Sequence, residues 1–361
     1  MRLASTKSVT PGMILAQSIY NENGVVLIQK GLKLTEKMLG RLLNQGITYI
    51  YIEDEFTEDI YVEPVLSDKL RVDASKTIKD IFLELRESGL KERAYILEKK
   101  GKKLASVVER IMEDIKSSEK SLSMLTEIFI TDDYIFHHSL NVTIYSLAIG
   151  VEMNLSNKKL TEIGIGAMLH DIGKIFIDPE ILQKPDKLSV EEFEIIKEHT
   201  TMGFDFLRKS ADMPAVVSHC AYQHHERLDG SGYPRGIKGD EIHTYAKLIG
   251  IADVFDAVTS NRVYRDAMLP HEGLEIIYAG AINLFEKNMV EAFKRSIVVY
   301  PVGLSLQLSD GREGVVVRQN KHICDRPVIR IMSEDGKHMR TPYELDLASV
   351  INVTVTAVIT D

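Results

Sequence analysis

From about residue 131 to residue 295 the apolar positions recur with helical spacing in almost every stretch. Phe136, Leu140, Ile144, Leu147 and Val151 form one stripe, and His138, Val142, Tyr145 and Ile149 form another on the opposite side. A helix over residues 131–153 that is apolar on both sides predicts a place in the middle of a bundle. Ser189 and Glu192 form a capping box for the helix that carries His199. Pro214 suits the first position of the next helix, which runs to His224. Residues 244–261 read as a further helix with Asp253 inside it. Residues 67–130 also read as helices, punctuated by Gly89 and Gly101.

The two ends have a different period. Residues 15–20 and 25–29 flank Asn23-Gly24, a hairpin signal, and Thr35 caps a short helix over 36–44 that Gly46 stops. Residues 47–52 alternate as a third strand, followed by an acidic linker over 53–63. After Val299 the period is two: Leu304, Leu306 and Leu308 alternate with polar residues, and Asp310-Gly311 and Asp335-Gly336 mark turns. The expected fold is mainly α. A small α+β unit (1–63) and a helical connector (64–124) precede a helical bundle (125–298), and a β-rich extension follows (299–361).

Composition narrows the function classes. With 44 basic against 53 acidic residues the formal charge is −9, which disfavours duplex nucleic acid as the main partner. Two cysteines in 361 residues cannot form a disulfide framework. The first ten residues lack the apolar run of a signal peptide, and the most apolar stretch, 142–153, is too short and too polar to span a bilayer. The expected location is the cytoplasm.

The eleven histidines carry the chemistry. His138 lies on one buried helix; His170 and Asp171 end a second; His199 is on a third; His224 and His225 end a fourth; Asp253 is on a fifth. A buried carboxylate needs a cation, because leaving it unpaired costs several kcal/mol. Five imidazoles and two carboxylates are too many ligands for one metal and suit two that share a carboxylate. The donor types favour Fe, Mn, Zn or Ni over Ca or Mg. Beyond His225, Gly230, Gly232 and Pro234 make a stiff loop in which Tyr233 offers an aromatic face for a base. Lys174, Arg262 and Arg265 follow ligand candidates closely and suit phosphate contacts.

These residues resemble the HD-GYP branch of the HD-domain phosphohydrolases over roughly 125–300. The match includes His138-Ser139-Leu140-Asn141-Val142, His170-Asp171-Ile172-Gly173-Lys174, His199, His224-His225-Glu226, Asp229 through Gly232-Tyr233-Pro234, Ala252-Asp253-Val254-Phe255-Asp256-Ala257, and Arg262-Val263-Tyr264-Arg265. The resemblance implies a cyclic di-GMP phosphodiesterase that yields the linear dinucleotide pGpG, or goes on to GMP. Related cyclic dinucleotides are alternative substrates. It implies one metal on His138, His170 and Asp253, and a second on His199, His224 and His225. Asp171 bridges the two, with iron or manganese expected. Asp171 and Lys174 are the implied catalytic residues. Lys174, Gly232, Tyr233, Pro234, Arg262 and Arg265 are the implied substrate contacts. Members with a third metal carry a Glu where this chain has Tyr134, so two metals are expected, with His137 outside the ligand set.

The mechanism expected from this set is in-line attack on a phosphodiester by a metal-activated water, with the cations offsetting charge in the transition state. Diguanylate cyclase (GGDEF) proteins are candidate partners and a homodimer is a candidate assembly. Two other readings compete. One is an HD-domain nucleotidase, which the Gly-Tyr-Pro loop and the second set of histidines oppose. The other is a degenerate module that binds cyclic dinucleotide or recruits a cyclase without turnover, which the complete ligand set opposes.

Overall fold

The computed structural model describes all residues except 22–24, 62–65, 118–128, 131–133, 183, 185, 211–212, 261–266, 321–322 and 361. The Asn23-Gly24 turn, Arg262 and Arg265 therefore lie outside the described residues. No helix among the described residues is long and apolar enough to cross a membrane.

The first unit comprises β1 (Arg2–Ser5), β2 (Ile19–Asn21), β3 (Val26–Ile28), α1 (Glu36–Asn44) and β4 (Tyr49–Ile52). Thr35 caps α1 by accepting from the Met38 amide. β1 and β4 pair antiparallel, with Arg2 opposite Ile52. Leu15, Ile19, Leu34, Leu42 and Ile50 fill the space between them and α1.

Next come α2 (Asp68–Glu87), α3 (Leu90–Ser117), β5 (Phe129–Ile130), α4 (Tyr134–Glu152) and α5 (Asn157–Leu169). They are followed by α6 (Pro179–Leu182), α7 (Val190–Leu207), α8 (Ala215–Gln223), α9 (Thr244–Thr259), α10 (Pro270–Ala279) and α11 (Lys287–Ser296). Two details differ from the sequence pattern. Gly101 lies inside α3 rather than at a break. One glycine costs a helix only about 1 kcal/mol, and the burial of Leu97, Leu104, Val108 and Ile111 on this helix outweighs it. Pro214 is the N-cap of α8, in extended conformation, one position earlier than expected.

α4 runs through the middle of the bundle. Phe136, Leu140, Ile144 and Leu147 pack with residues of α2, α3 and α5, among them Phe82, Val108 and Met168. Val142, Tyr145 and Ile149 pack on the other side with Phe255 of α9 and Phe293 of α11. The helices α2 and α3, which read as a connector in the sequence, thus share one core with α4 and α5. Residues 129–130, just ahead of α4, add a parallel strand to β2, with Tyr20 opposite Phe129.

The chain ends in a five-stranded antiparallel sheet of order β10-β6-β7-β8-β9. Its strands are β6 (Ser305–Leu308), β7 (Glu313–Arg318), β8 (Val328–Glu334), β9 (Lys337–Asp346) and β10 (Val355–Ile359). Asp335-Gly336 closes the β8–β9 hairpin, with Glu334 opposite Lys337. This sheet packs on the first unit: Leu3, Ala16 and Tyr51 join Leu304, Leu306, Val316, Ile329 and Ile331 in one cluster. The Leu3 amide donates to Gly303 O (2.8 Å), and Tyr51 Oη donates to Val302 O (3.2 Å).

Candidate metal centre

Five elements of the bundle bring their polar groups to one buried spot. His138 comes from the first turns of α4, and His170 and Asp171 from the end of α5. His199 is in the middle of α7, His224 and His225 follow α8, and Asp253 is inside α9. His138, His170, Asp171, His199, His224 and Asp253 are all buried, and His225 is half-buried. His138, His170 and Asp171 present ligand atoms within 4.8 Å of one another. Asp171, His199, His224 and His225 do the same, so Asp171 belongs to both groups. Asp253 completes the first group, with Oδ1 at 3.1 Å from His138 Nε2 and 3.9 Å from His170 Nε2. Its other oxygen lies 3.5 Å from His225 Nδ1.

The imidazoles are oriented from behind. Nδ1 of His170 donates to Ala167 O at 2.7 Å, and Nδ1 of His199 to Ile196 O at 2.6 Å. His224 Nδ1 reaches Cys220 O and Ala221 O at 3.1 and 3.0 Å. With the proton held on Nδ1, each of these rings turns a bare Nε2 lone pair inward. His138 Nδ1 contacts Asp256 Oδ2 at 2.7 Å, and the other Asp256 oxygen accepts from Asn141 Nδ2 (2.8 Å) and Ser260 Oγ (2.9 Å).

This donor set fits divalent transition metals. His170 Nε2 and Asp171 Oδ1 are buried without a hydrogen-bond partner, which costs each about 1–3 kcal/mol or more unless a cation satisfies them. The Nε2 atoms of His199 and His224 face each other at 3.4 Å, a contact of two lone pairs that a shared cation relieves. Carbonyl- and carboxylate-backed imidazoles are the usual outer arrangement of metal-bound histidine.

The electrostatics match this picture. Burial, reinforced by neighbouring imidazoles, pushes His224 and His225 well below the ordinary histidine value, so both rings are neutral. Burial alone would raise Asp171 and Asp253, but Lys174 and the imidazoles for the first, and His138 and its neighbours for the second, hold both well below the carboxylate range. His138 is the exception: burial would lower it, but Asp253 and Asp256 outweigh it and push it up to about 9, so a cation there would take the place of the proton on Nε2. Lys174 Nζ sits 2.5 Å from Asp171 Oδ2.

A cleft of about 510 Å³ adjoins the centre, lined by Glu194, Lys197, Glu198 and Thr201 of α7 and by residues 232–236. The loop is pinned by the buried Glu226, whose carboxylate accepts from the Arg235 amide (2.9 Å) and the Ile237 amide (3.2 Å). Gly232 is the only residue that fits its place, since a Cβ there would lie 2.3 Å from His225 O and 2.5 Å from the Arg227 nitrogen. Tyr233 stacks on His225 (centroids 4.6 Å apart, planes at 28°), so one face of the ring expected to carry a base is covered by a ligand candidate. A smaller apolar cavity of about 250 Å³ is lined in part by His243, but that imidazole caps α9 by accepting from the Tyr245 amide.

The structure therefore brings together His138, His170, Asp171, Lys174, His199, His224, His225 and Asp253, with Gly232, Tyr233 and Pro234 at the edge. Arg262 and Arg265 fall in the undescribed 261–266. Asp256, Asn141 and Glu226 stand in the matched runs without a role in the sequence reading, and the structure places them directly behind His138 and under the 232–236 loop. The Asp253–Asp256 spacing of one helical turn is a signal for the role of the first; for the other two the matched runs give the residue but not its partner.

Fold and site define a helical metal-binding domain organised on a His-Asp pair. The HD domain matches residues 106–288, half of the chain, and the protein belongs to the HD-domain family. Its His170-Asp171 and Gly232-Tyr233-Pro234 runs place it with the HD-GYP members. A cyclic di-GMP phosphodiesterase of Thermotoga maritima is 36% identical over 241 residues, covering 65% of this chain and 64% of that protein. A cyclic di-GMP phosphodiesterase of Pseudomonas aeruginosa is 30% identical over 241 residues, covering 67% and 58% respectively. A 3'3'-cGAMP-specific phosphodiesterase of Vibrio cholerae is 33% identical over 168 residues, 46% of this chain and 36% of that protein. The matched region thus spans less than two thirds of each of these relatives.

Proposed function

We propose that this chain is a cyclic-dinucleotide phosphodiesterase with a two-metal centre that opens cyclic di-GMP to pGpG. The observation that carries the reading is the pair of ligand groups joined through Asp171, with His170 Nε2 and Asp171 Oδ1 buried and unpartnered. His138, His170 and Asp253 would hold one ion, His199, His224 and His225 the other, and Asp171 both. Iron or manganese suits the imidazole-rich set. When bound, the metals supply Lewis acidity and a water whose pKa is brought toward neutrality. Lys174, on the rim beside Asp171, offsets phosphate charge, and Arg262 and Arg265 supply further phosphate contacts. Relatives named for cyclic di-GMP and for cyclic GMP-AMP support the substrate class.

The test is anaerobic loading of the full chain with iron or manganese, metal analysis, and chromatography of products from cyclic di-GMP. Two metals per chain and release of pGpG are expected. Asp171→Ala should lose metal from both groups and retain less than about a tenth of the turnover, because a bridging ligand positions the attacking water as well as the ions. A fully loaded wild type that leaves cyclic dinucleotides intact would overturn the reading. So would an Asp171→Ala variant that keeps its metal and its rate.

A further inference from the structure

The cleft beside the metal centre has two polar walls of opposite character. Glu194, Lys197, Glu198 and Thr201 recur at helical spacing, so α7 turns one polar face toward the 232–236 loop. Lys197 Nζ pairs with Glu194 at 2.6 Å and also lies over the rings of Phe193 (4.9 Å) and Tyr233 (5.5 Å). That leaves Glu198, next to the candidate ligand His199, as the carboxylate that no cation pairs with among the described residues. On the opposite wall the Arg235 backbone is pinned by its amide to Glu226, and its exposed guanidinium lies 5.0 Å from the Tyr222 ring centre. Tyr222 in turn stacks on Phe204 at 4.5 Å. The cleft's volume falls in the ~300–1,000 Å³ range of small-molecule sites.

A free carboxylate and a guanidinium lining one cleft are the complement of guanine. Guanine offers N1–H and N2–H donors on one edge, which a carboxylate accepts, and the acceptors O6 and N7 on another, which an arginine fork contacts bidentately. Adenine turns the N1 acceptor toward the carboxylate, a repulsive contact, and the N6 donor toward the guanidinium. We propose that Glu198 and Arg235 make this cleft a guanine-selecting subsite, holding the base of one nucleotide while its phosphodiester lies at the metal centre. The proposal rests on the phosphodiesterase reading and adds the residues that set base preference.

Two measurements on the full, metal-loaded chain test it. The first is kcat/KM for cyclic di-GMP and cyclic di-AMP with the wild type and Glu198→Gln. The second is calorimetric binding of GMP and AMP to the same proteins, repeated without metal. Glu198→Gln keeps size and polarity and is exposed, so folding and metal content should be unchanged. A lost charge-assisted hydrogen bond predicts roughly a 10- to 100-fold fall in kcat/KM for cyclic di-GMP, mostly through KM. GMP affinity should fall in parallel, with AMP and cyclic di-AMP unaffected or improved. Glu198→Asp should recover part of the preference. If Glu198→Gln changes neither GMP affinity nor the ratio of the two substrates, the subsite is wrong. If the wild type hydrolyses no cyclic dinucleotide but still prefers GMP to AMP through Glu198, the phosphodiesterase reading fails while the subsite stands.

Discussion

Asp256 shows how much of a metal centre is built one layer behind the ligands. It is buried in the middle of a chain that runs from Asn141 and Ser260 through its carboxylate to His138 Nδ1. Its charge keeps the His138 ring in the orientation that turns Nε2 toward Asp253. Asp256→Asn should preserve the helices, since an amide fits the same space and can still accept from Asn141 or Ser260. Metal affinity should drop about 10- to 100-fold, as expected when the partner behind a ligating histidine is lost. Competition with a chelator reads this directly, and an unchanged affinity would show that the α4 packing alone orients His138. The ligand candidates were legible in the sequence because His, Asp and Gly stand out against apolar helices. Asn141 and Glu226 stood in the matched runs but their partners were not legible, because an amide or carboxylate beside a helix gives no hint of the atom it will meet more than a hundred residues away, or across a loop.

At the scale of elements, the site depends on how closely the 172–176 turn approaches α7. A Cβ on Gly173 would lie 1.9 Å from His199 O and 2.7 Å from the Gly203 nitrogen. These are backbone atoms of a helix and cannot swing aside, so Gly173→Ala must push α7, and His199 with it, away from Asp171. Overpacking of this kind costs about 1–3 kcal/mol. The variant should melt lower than the wild type and lose metal preferentially from the His199, His224 and His225 group. Thermal denaturation with and without metal, together with metal counting, checks both halves; an unaltered melting point would mean the turn moves freely. The helices themselves were readable from periodicity and caps, Thr35 and the Ser189–Glu192 box among them. The continuity of α3 through Gly101 and the pairing of β5 with β2 were not. The first is decided by burial on both sides of the glycine, the second by a two-residue strand too short to show a pattern.

For the molecule as a whole, the least legible feature is that the two ends of the chain share a core. The alternation of Leu304, Leu306 and Leu308 predicts a buried face but not what covers it, and the cover proves to be Leu3, Ala16 and Tyr51. An ionic clasp closes the edge of this contact. Arg330 on β8 grips Asp59 with both nitrogens, at 2.6 and 2.7 Å, and also reaches Phe56 O and Glu344. The hydrogen bonds from Arg330 lower the Asp59 carboxyl to about 2. A folded-state value below the unfolded one means that the clasp contributes fully above the ordinary aspartate value near 4, and that its contribution is lost as pH falls from about 4 toward 2. Asp59 is largely exposed, so solvent screening keeps the gain to that of a surface pair, up to about 1 kcal/mol. Urea midpoints of the wild type and Asp59→Asn, compared from neutral pH down to pH 3, should differ by a constant amount above pH 5 and converge in acid. A gap that persists unchanged to pH 3 would assign the effect to the geometry of the Phe56–Asp59 turn rather than to the charge. In that case the apolar cluster around Tyr51, with no electrostatic help, would be what ties the ends of the chain together.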